Sequence, residues 1–227
     1  MHRETAPVTT PAPHLNPSTQ VPTAILWDFG GVILSSPFDA FADYERSAGL
    51  PPGTIRSLNA TNPDTNAWAR LERSDVSFDE FCDLFESEAS ERGHHVHART
   101  VMGLLSGEIR PQMVTALLRL KAAGFKQACL TNNVRSDDAR PRPEVDEVMR
   151  LFDHVTESSR AGVRKPEVRF YEMACEALAI RPHDAVFLDD LGINLKPAAA
   201  LGMRTIKVGD PDVALAELEA IVGLSLR

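Results

Sequence analysis

A chain of 227 residues with 43% apolar side chains is long enough to bury one full core and a small second module. Its formal charge of −8, with no long basic run, excludes non-specific nucleic-acid binding, which needs a cationic face. No window is apolar enough for long enough to span a bilayer, and the amino terminus lacks the charged-then-apolar pattern of a signal peptide. A small phosphorylated or carboxylated substrate stays compatible with this charge, because a pocket can oppose the global sign. Cys82, Cys129 and Cys175 lie far apart in apolar contexts. They read as core residues in a reducing, cytoplasmic setting rather than as a disulfide or zinc set.

Residues 1–22 are rich in Pro and Thr and show no hydrophobic period, so they read as a disordered or loosely attached arm. Ala24–Trp27 is a short apolar run ended by Asp28, as expected of a buried strand. Gly30 and Gly31 follow, and glycine lets the backbone turn tightly or approach a ligand closely. Residues 37–106 carry helix-like apolar spacing and no strand signal. Phe38, Phe41 and Ala48 start it, with Gly49 as a stop. Trp68, Leu71, Phe78, Phe81, Leu84 and Phe85 form a later stripe, with Asp75 or Ser77 as its cap.

From Arg110 onward helices and strands alternate. Strands are expected over 125–130, near 152–155, over 185–188 and over 204–208, separated by helices. That alternation calls for a parallel sheet covered on both faces. The expected organisation is a core of 23–36 and 107–227 with a helical cap at 37–106, hinged near residues 34–38 and 106–110.

Three expected strands end in reactive residues: Asp28, Thr131-Asn132 and Asp189-Asp190. Parallel strands bring such tips to one edge, where α/β sheets bind ligands. Lys165 lies in a loop that can reach the same edge. Asp28 and one of Asp189 and Asp190 can share Mg²⁺, a cation that takes oxygen ligands, and the Gly30 carbonyl can add another. The Thr131 hydroxyl and nearby amides suit phosphate oxygens, and Lys165 supplies positive charge. Asp28 can then attack phosphorus and form an aspartyl-phosphate that water hydrolyses. Taken singly, Asp189-Asp190 also reads as a solvated turn, Lys165 as a surface lysine and Thr131-Asn132 as a loop start.

Asp28-Phe29-Gly30-Gly31-Val32, Thr131-Asn132, Lys165-Pro166 and Phe187-Leu188-Asp189-Asp190 stand in the order of the four motifs of the haloacid dehalogenase superfamily, which the chain resembles from about residue 24 to 208. The segments 162–166, 187–197 and 201–203 are most similar to the phosphatase domain fused to soluble epoxide hydrolase and to domains linked to acyl-CoA dehydrogenases. The resemblance implies an α/β, Rossmann-like core with an inserted all-helical cap, and a Mg²⁺-dependent phosphoric monoester hydrolase acting on a small phosphorylated metabolite. It implies Asp28 as nucleophile, and Thr131 and Lys165 as phosphate ligands with Gly31 and Asn132 beside them. Asp28, Gly30 and Asp190 would hold the metal, with Asp189 and Asn194 in support.

One position departs from that pattern. The family's phosphatases usually carry a second Asp two residues after the nucleophile, as general acid and base, and here Gly30 stands there. Asp39, Glu72 and His94 are candidate replacements, and the sequence selects none of them. Two alternatives stay open: a 2-haloacid dehalogenase, with Asp28 attacking carbon, and a weakly catalytic phosphate-binding or regulatory protein.

Overall fold

The computed structural model describes residues 21–134 and 141–227. The arm expected at 1–22 therefore lies, but for its last two residues, outside the described residues.

Five strands form one sheet: β1 (Ala24–Trp27), β2 (Lys126–Thr131), β3 (His154–Glu157), β4 (Ala185–Asp189) and β5 (Arg204–Lys207). Their order is β3-β2-β1-β4-β5, and every pairing is parallel. The chain builds outward from β1 to β3 and then returns to the other side of β1 with β4. The switch point thus falls between β1 and β4, and open α/β sheets bind ligands beyond the strands' carboxyl ends at such a point.

The two-residue period of the strands divides the core. Ile25, Trp27, Cys129, Val186 and Leu188 point into one buried cluster, closed by α6 (Pro111–Ala122) and α11 (Pro211–Val222). Ala24, Leu26, Ala128, Leu130, Ala185 and Phe187 point into the other cluster, closed by α9 (Val168–Leu178) and α10 (Gly192–Ala200). Before these two helices, α7 (Pro143–Met149) and α8 (Ser158–Ala161) flank β3 in the chain. A strand buried on both faces needs apolar residues at every position, which explains the unbroken runs in β1 and β4.

The segment between β1 and β2 folds into five helices before α6: α1 (Phe38–Ser47), α2 (Thr54–Ala60), α3 (Ala67–Glu72), α4 (Phe78–Ser90) and α5 (Ala98–Gly103). They enclose a third buried cluster, built on Phe41, Ile55, Leu71, Phe81 and Phe85. Trp68 packs edge-on against Phe81 and Phe85, with centroids 5.7 and 5.8 Å apart. Ser77, not Asp75, caps α4: its hydroxyl accepts from the Glu80 N–H while the Glu80 carboxylate accepts from the Ser77 N–H. Both ends of the segment meet at an antiparallel bridge between Leu34 and Ile109. The three cysteines are buried in three different clusters. Among the described residues no helix is long and apolar enough to cross a membrane.

Strand boundaries shift from the sequence expectation. β2 runs one residue later, so Thr131 ends a strand instead of opening a loop. β3 begins at His154 because Phe152 is buried as a side chain of the core cluster, while the Asp153 carboxylate accepts from the Gln127 N–H.

Candidate active site

Asp28 leaves β1 as the strand ends. The chain then makes one tight turn over Phe29–Ile33, closed by a 2.8 Å bond from the Leu34 N–H to the Phe29 carbonyl. Gly31 takes φ +79°, which glycine adopts without cost. A Cβ there would lie 2.3 Å from Asp190 Oδ2, so the missing side chain makes room for that carboxylate. Gly31→Ala is expected to cost about 2 kcal/mol, from the left-handed backbone and the displaced Asp190. Denaturant unfolding checks this, and an unchanged midpoint would contradict the close approach.

Lys165 is fully buried, a position lysine takes only when paired. Its Nζ lies 2.7 Å from Asp28 Oδ1 and 2.8 Å from Asp189 Oδ2. Asp28 Oδ1 also accepts from the Phe29 N–H at 2.6 Å. Oδ1 is thus held by two donors, and among the described residues Oδ2 has none, which leaves it to act on a bound molecule. Asp189 is clamped further: its oxygens accept from the Leu191 N–H at 2.8 Å and from Asn194 Nδ2 at 3.0 and 3.1 Å. Tyr171 donates in turn to the Asn194 carbonyl at 2.7 Å. Asp189, held by Asn194, therefore stands behind Lys165.

Asp28, Asp189 and Asp190 each offer an oxygen within 4.8 Å of the others. Burial pushes the Asp28 carboxyl well above its ordinary range, against the pull of Lys165. Burial and then the Asp189 charge push Asp190 up to about 6. Burial pulls the Lys165 ammonium down, but Asp189 and Asp28 outweigh it and hold it above its ordinary value. Fully ionised, the three carboxylates would outnumber the Lys165 ammonium by two charges. That donor set, all oxygen and doubly anionic in excess, fits a hard divalent cation.

Thr131 ends β2 beside this cluster, nearly buried, with its hydroxyl paired to no protein group among the described residues. Asn132 has different partners from those expected of a substrate ligand. Its Oδ1 accepts from the Lys165 N–H at 2.9 Å, and its Nδ2 donates to the Lys165 carbonyl at 3.0 Å. The amide thus grips both backbone groups of Lys165. At Gly30, φ −70° and ψ 129° suit any residue, and an added Cβ meets nothing within 4 Å.

Of the three candidate acids, Glu72 alone is joined to these residues, by a 3.1 Å bond from Asn132 Nδ2. Its oxygens are already committed as acceptors, from Arg164 Nε at 2.5 Å and Trp68 Nε1 at 3.0 Å. Asp39 is exposed on α1, and His94 lines a separate hollow with Pro51, Gly53 and Arg92.

Arg110 escaped the sequence reading. Its Nη1 donates to the Gly31 carbonyl at 2.7 Å and holds the turn behind Asp190. The available signal was an arginine at the N-cap of α6, just before Pro111, where Ser, Thr, Asp or Asn is preferred.

Several known proteins resemble this chain in sequence or in fold. The acyl-CoA dehydrogenase family member 10 of Mus musculus is 34% identical over 90% of this chain and 19% of its own length. Bifunctional epoxide hydrolase 2 of Sus scrofa is 31% identical over 89% and 39%. The chain thus spans less than half the length of these two relatives. The sesquiterpene phosphatase astK of Aspergillus oryzae is 27% identical over 88% of this chain and 96% of its own. In fold, the chain matches a HAD family enzyme of Bacteroides thetaiotaomicron, solved with magnesium and inorganic phosphate, at a TM-score of 0.54, with 20% identity over 83% of this chain and 96% of that one. The family profile of the haloacid dehalogenase-like hydrolases covers residues 22–202, and the chain belongs to that family.

Proposed function

We propose that this protein is a Mg²⁺-dependent phosphomonoesterase acting on a small phosphorylated metabolite, with Asp28 as nucleophile. One observation carries the reading: Asp28 Oδ1 is pinned by Lys165 and the Phe29 N–H beside two further carboxylates whose excess charge matches a divalent cation. A carboxylate cluster has little use in displacement at an uncharged carbon, and the relative astK is named a phosphatase.

Asp28, Asp190 and the Gly30 carbonyl would hold the cation, which would offset charge on the phosphoryl oxygens. In the first step Asp28 Oδ2 attacks phosphorus, the P–O bond to the leaving group breaks, and the aspartyl-phosphate forms. Lys165 keeps Asp28 oriented and balances the incoming charge, and the Thr131 hydroxyl donates to a phosphoryl oxygen. In the second step water attacks phosphorus, the bond from phosphorus to Asp28 Oδ2 breaks, and inorganic phosphate leaves as the water's proton passes to bulk water. Residues 37–106, with a buried cluster of their own, act as a cap that limits water during transfer and sets the substrate.

The leaving oxygen receives no proton from position 30. Such a proton is worth ~10²–10⁴ in rate, and least for leaving groups that are stable as anions. Aryl phosphates should therefore turn over faster than alkyl phosphates. Gly30→Asp, for which the backbone and the space are already suitable, is expected to raise alkyl-phosphate turnover by at least ~10-fold while changing aryl turnover far less. Equal effects on both classes would contradict this.

The carboxylates also predict a pH dependence. Asp190 holds a proton up to about pH 6 in the folded protein. Below that pH a cation must displace the proton, so Mg²⁺ affinity should fall about tenfold per unit. Between the ordinary carboxylate range and pH 6 the folded state binds more protons than the unfolded one, so stability without metal falls as pH rises through that window. Calorimetric Mg²⁺ titrations and melts in EDTA check both, and Asp190→Asn should remove its share of the pH dependence and leave that of Asp28, which burial raises in the same direction.

Paired release assays test the function itself. Phosphate from an aryl phosphate with no chloride from a 2-chloro acid is expected. The reverse would make the protein a dehalogenase.

A further inference from the structure

Besides the packing of Val134 against its apolar cluster, the helical segment is bonded to the core at Pro63 and around residues 72–74. Arg164 Nη1 donates to the Pro63 carbonyl at 3.0 Å, the Ser74 hydroxyl donates to the Ser159 carbonyl at 3.0 Å, and Arg73 Nη1 lies 3.5 Å from Glu167 Oε1. Glu72, the last residue of α3, sits among them and is nearly buried. Its Oε1 accepts from Trp68 of its own segment. Its Oε2 accepts from two core groups, Arg164 Nε and Asn132 Nδ2.

The consequence runs through the Asn132 amide. Its Oδ1 must face the Lys165 N–H, and its NH₂ must face both the Lys165 carbonyl and Glu72. A carboxylate at that point accepts and never donates, so it favours one orientation of the amide over the flipped one. Arg164, next to Lys165 in the chain, is held by the same oxygen. One buried carboxylate therefore fixes both supports of the Lys165 backbone, and Lys165 in turn carries the bonds to Asp28 and Asp189.

We propose that Glu72 is a positioning residue, supplied by the helical segment, that orients Lys165 through Asn132 and Arg164 when the segment is docked on the core. The site is then fully aligned only in the docked state, which ties alignment to closure. This rests on the reading of Asp28 and Lys165 as phosphatase residues, though its structural half does not.

Three variants of the full chain test it. Glu72→Gln keeps the shape but loses the charge and can present a donor to Asn132. Its kcat should fall roughly ten- to a hundredfold through misalignment, with KM changing far less. Asn132→Ala should fall similarly, and the double variant should be no worse than the poorer single one. Ser74→Gly removes another bond of the same interface and suits that residue's φ of +59°; it should stay within about twofold of the parent. Without any substrate, the Lys165 amide signal in a ¹H–¹⁵N spectrum should move in Glu72→Gln and stay in place in Ser74→Gly. An unmoved Lys165 signal, multiplicative losses in the double variant, or equal losses in Glu72→Gln and Ser74→Gly would overturn the proposal. If the parent releases no phosphate, the functional reading fails, and the amide spectrum still decides the role of Glu72.

Discussion

Asp28→Asn is expected to lower phosphate release by ~10⁴-fold or more, because an amide oxygen cannot take the place of a nucleophilic carboxylate. The change is nearly isosteric and keeps an acceptor for the Phe29 N–H and for Lys165. The fold should therefore survive, and stability should move in the opposite direction to activity. Burial holds the Asp28 carboxyl well above its ordinary range, so its charged form costs stability once pH exceeds the unfolded value. Removing that charge should leave the metal-free variant at least as stable as the parent at neutral pH. Thermal melts in EDTA, run beside the assay, separate a lost nucleophile from a lost fold. A variant that is both inactive and unfolded would contradict the electrostatic description of the site.

Lys165→Met has the largest expected effect on stability. Methionine fills most of the volume of the lysine stem but leaves Asp28 and Asp189 buried with no counter-charge. Breaking a buried ion pair from one side costs about 3–5 kcal/mol. For a domain of this size that is a fall of roughly 6–20 °C in melting temperature. The sign with pH follows from the raised lysine: its contribution is fully present at and below neutral pH and is lost only as pH rises through its elevated value. The variant's deficit should therefore be clear at pH 7. It should shrink as pH falls and the Asp28 carboxyl, already raised by burial, takes up a proton. A melting temperature unchanged in EDTA at pH 7 would mean that the buried charges are not paired as described.

The parts of the fold legible in the sequence are those where one physical demand dominates. β1 and β4 are buried on both faces, and only continuous apolar runs satisfy that. The strand-tip residues Asp28, Thr131 and Asp189 are legible because each interrupts such a run with a polar group at its end. β3 is less so, since half-buried residues such as His154 and Glu157 dilute the apolar signal, and Phe152 looks like strand while serving the core from a turn. Long-range partners left no local mark. Nothing near Gly31 in the chain shows that Asp190 fills the space of its absent Cβ. Likewise, Glu72 lies 60 residues from Asn132, and its place as an acceptor for that amide follows only from the docking of α3. Asn132 itself was legible as part of the site, whereas its grip on the Lys165 backbone was not, because the sequence does not tell a side chain facing a ligand from one facing its neighbour's peptide groups.

The covalent step is open to direct measurement. The parent protein, mixed with Mg²⁺ and an aryl phosphate and quenched in acid during turnover, is expected to gain the mass of one phosphoryl group, located on the peptide that carries Asp28. The adduct should vanish with EDTA and in Asp28→Asn. Phosphate release with no adduct at any quench time, together with an active Asp28→Asn, would contradict Asp28 as the nucleophile.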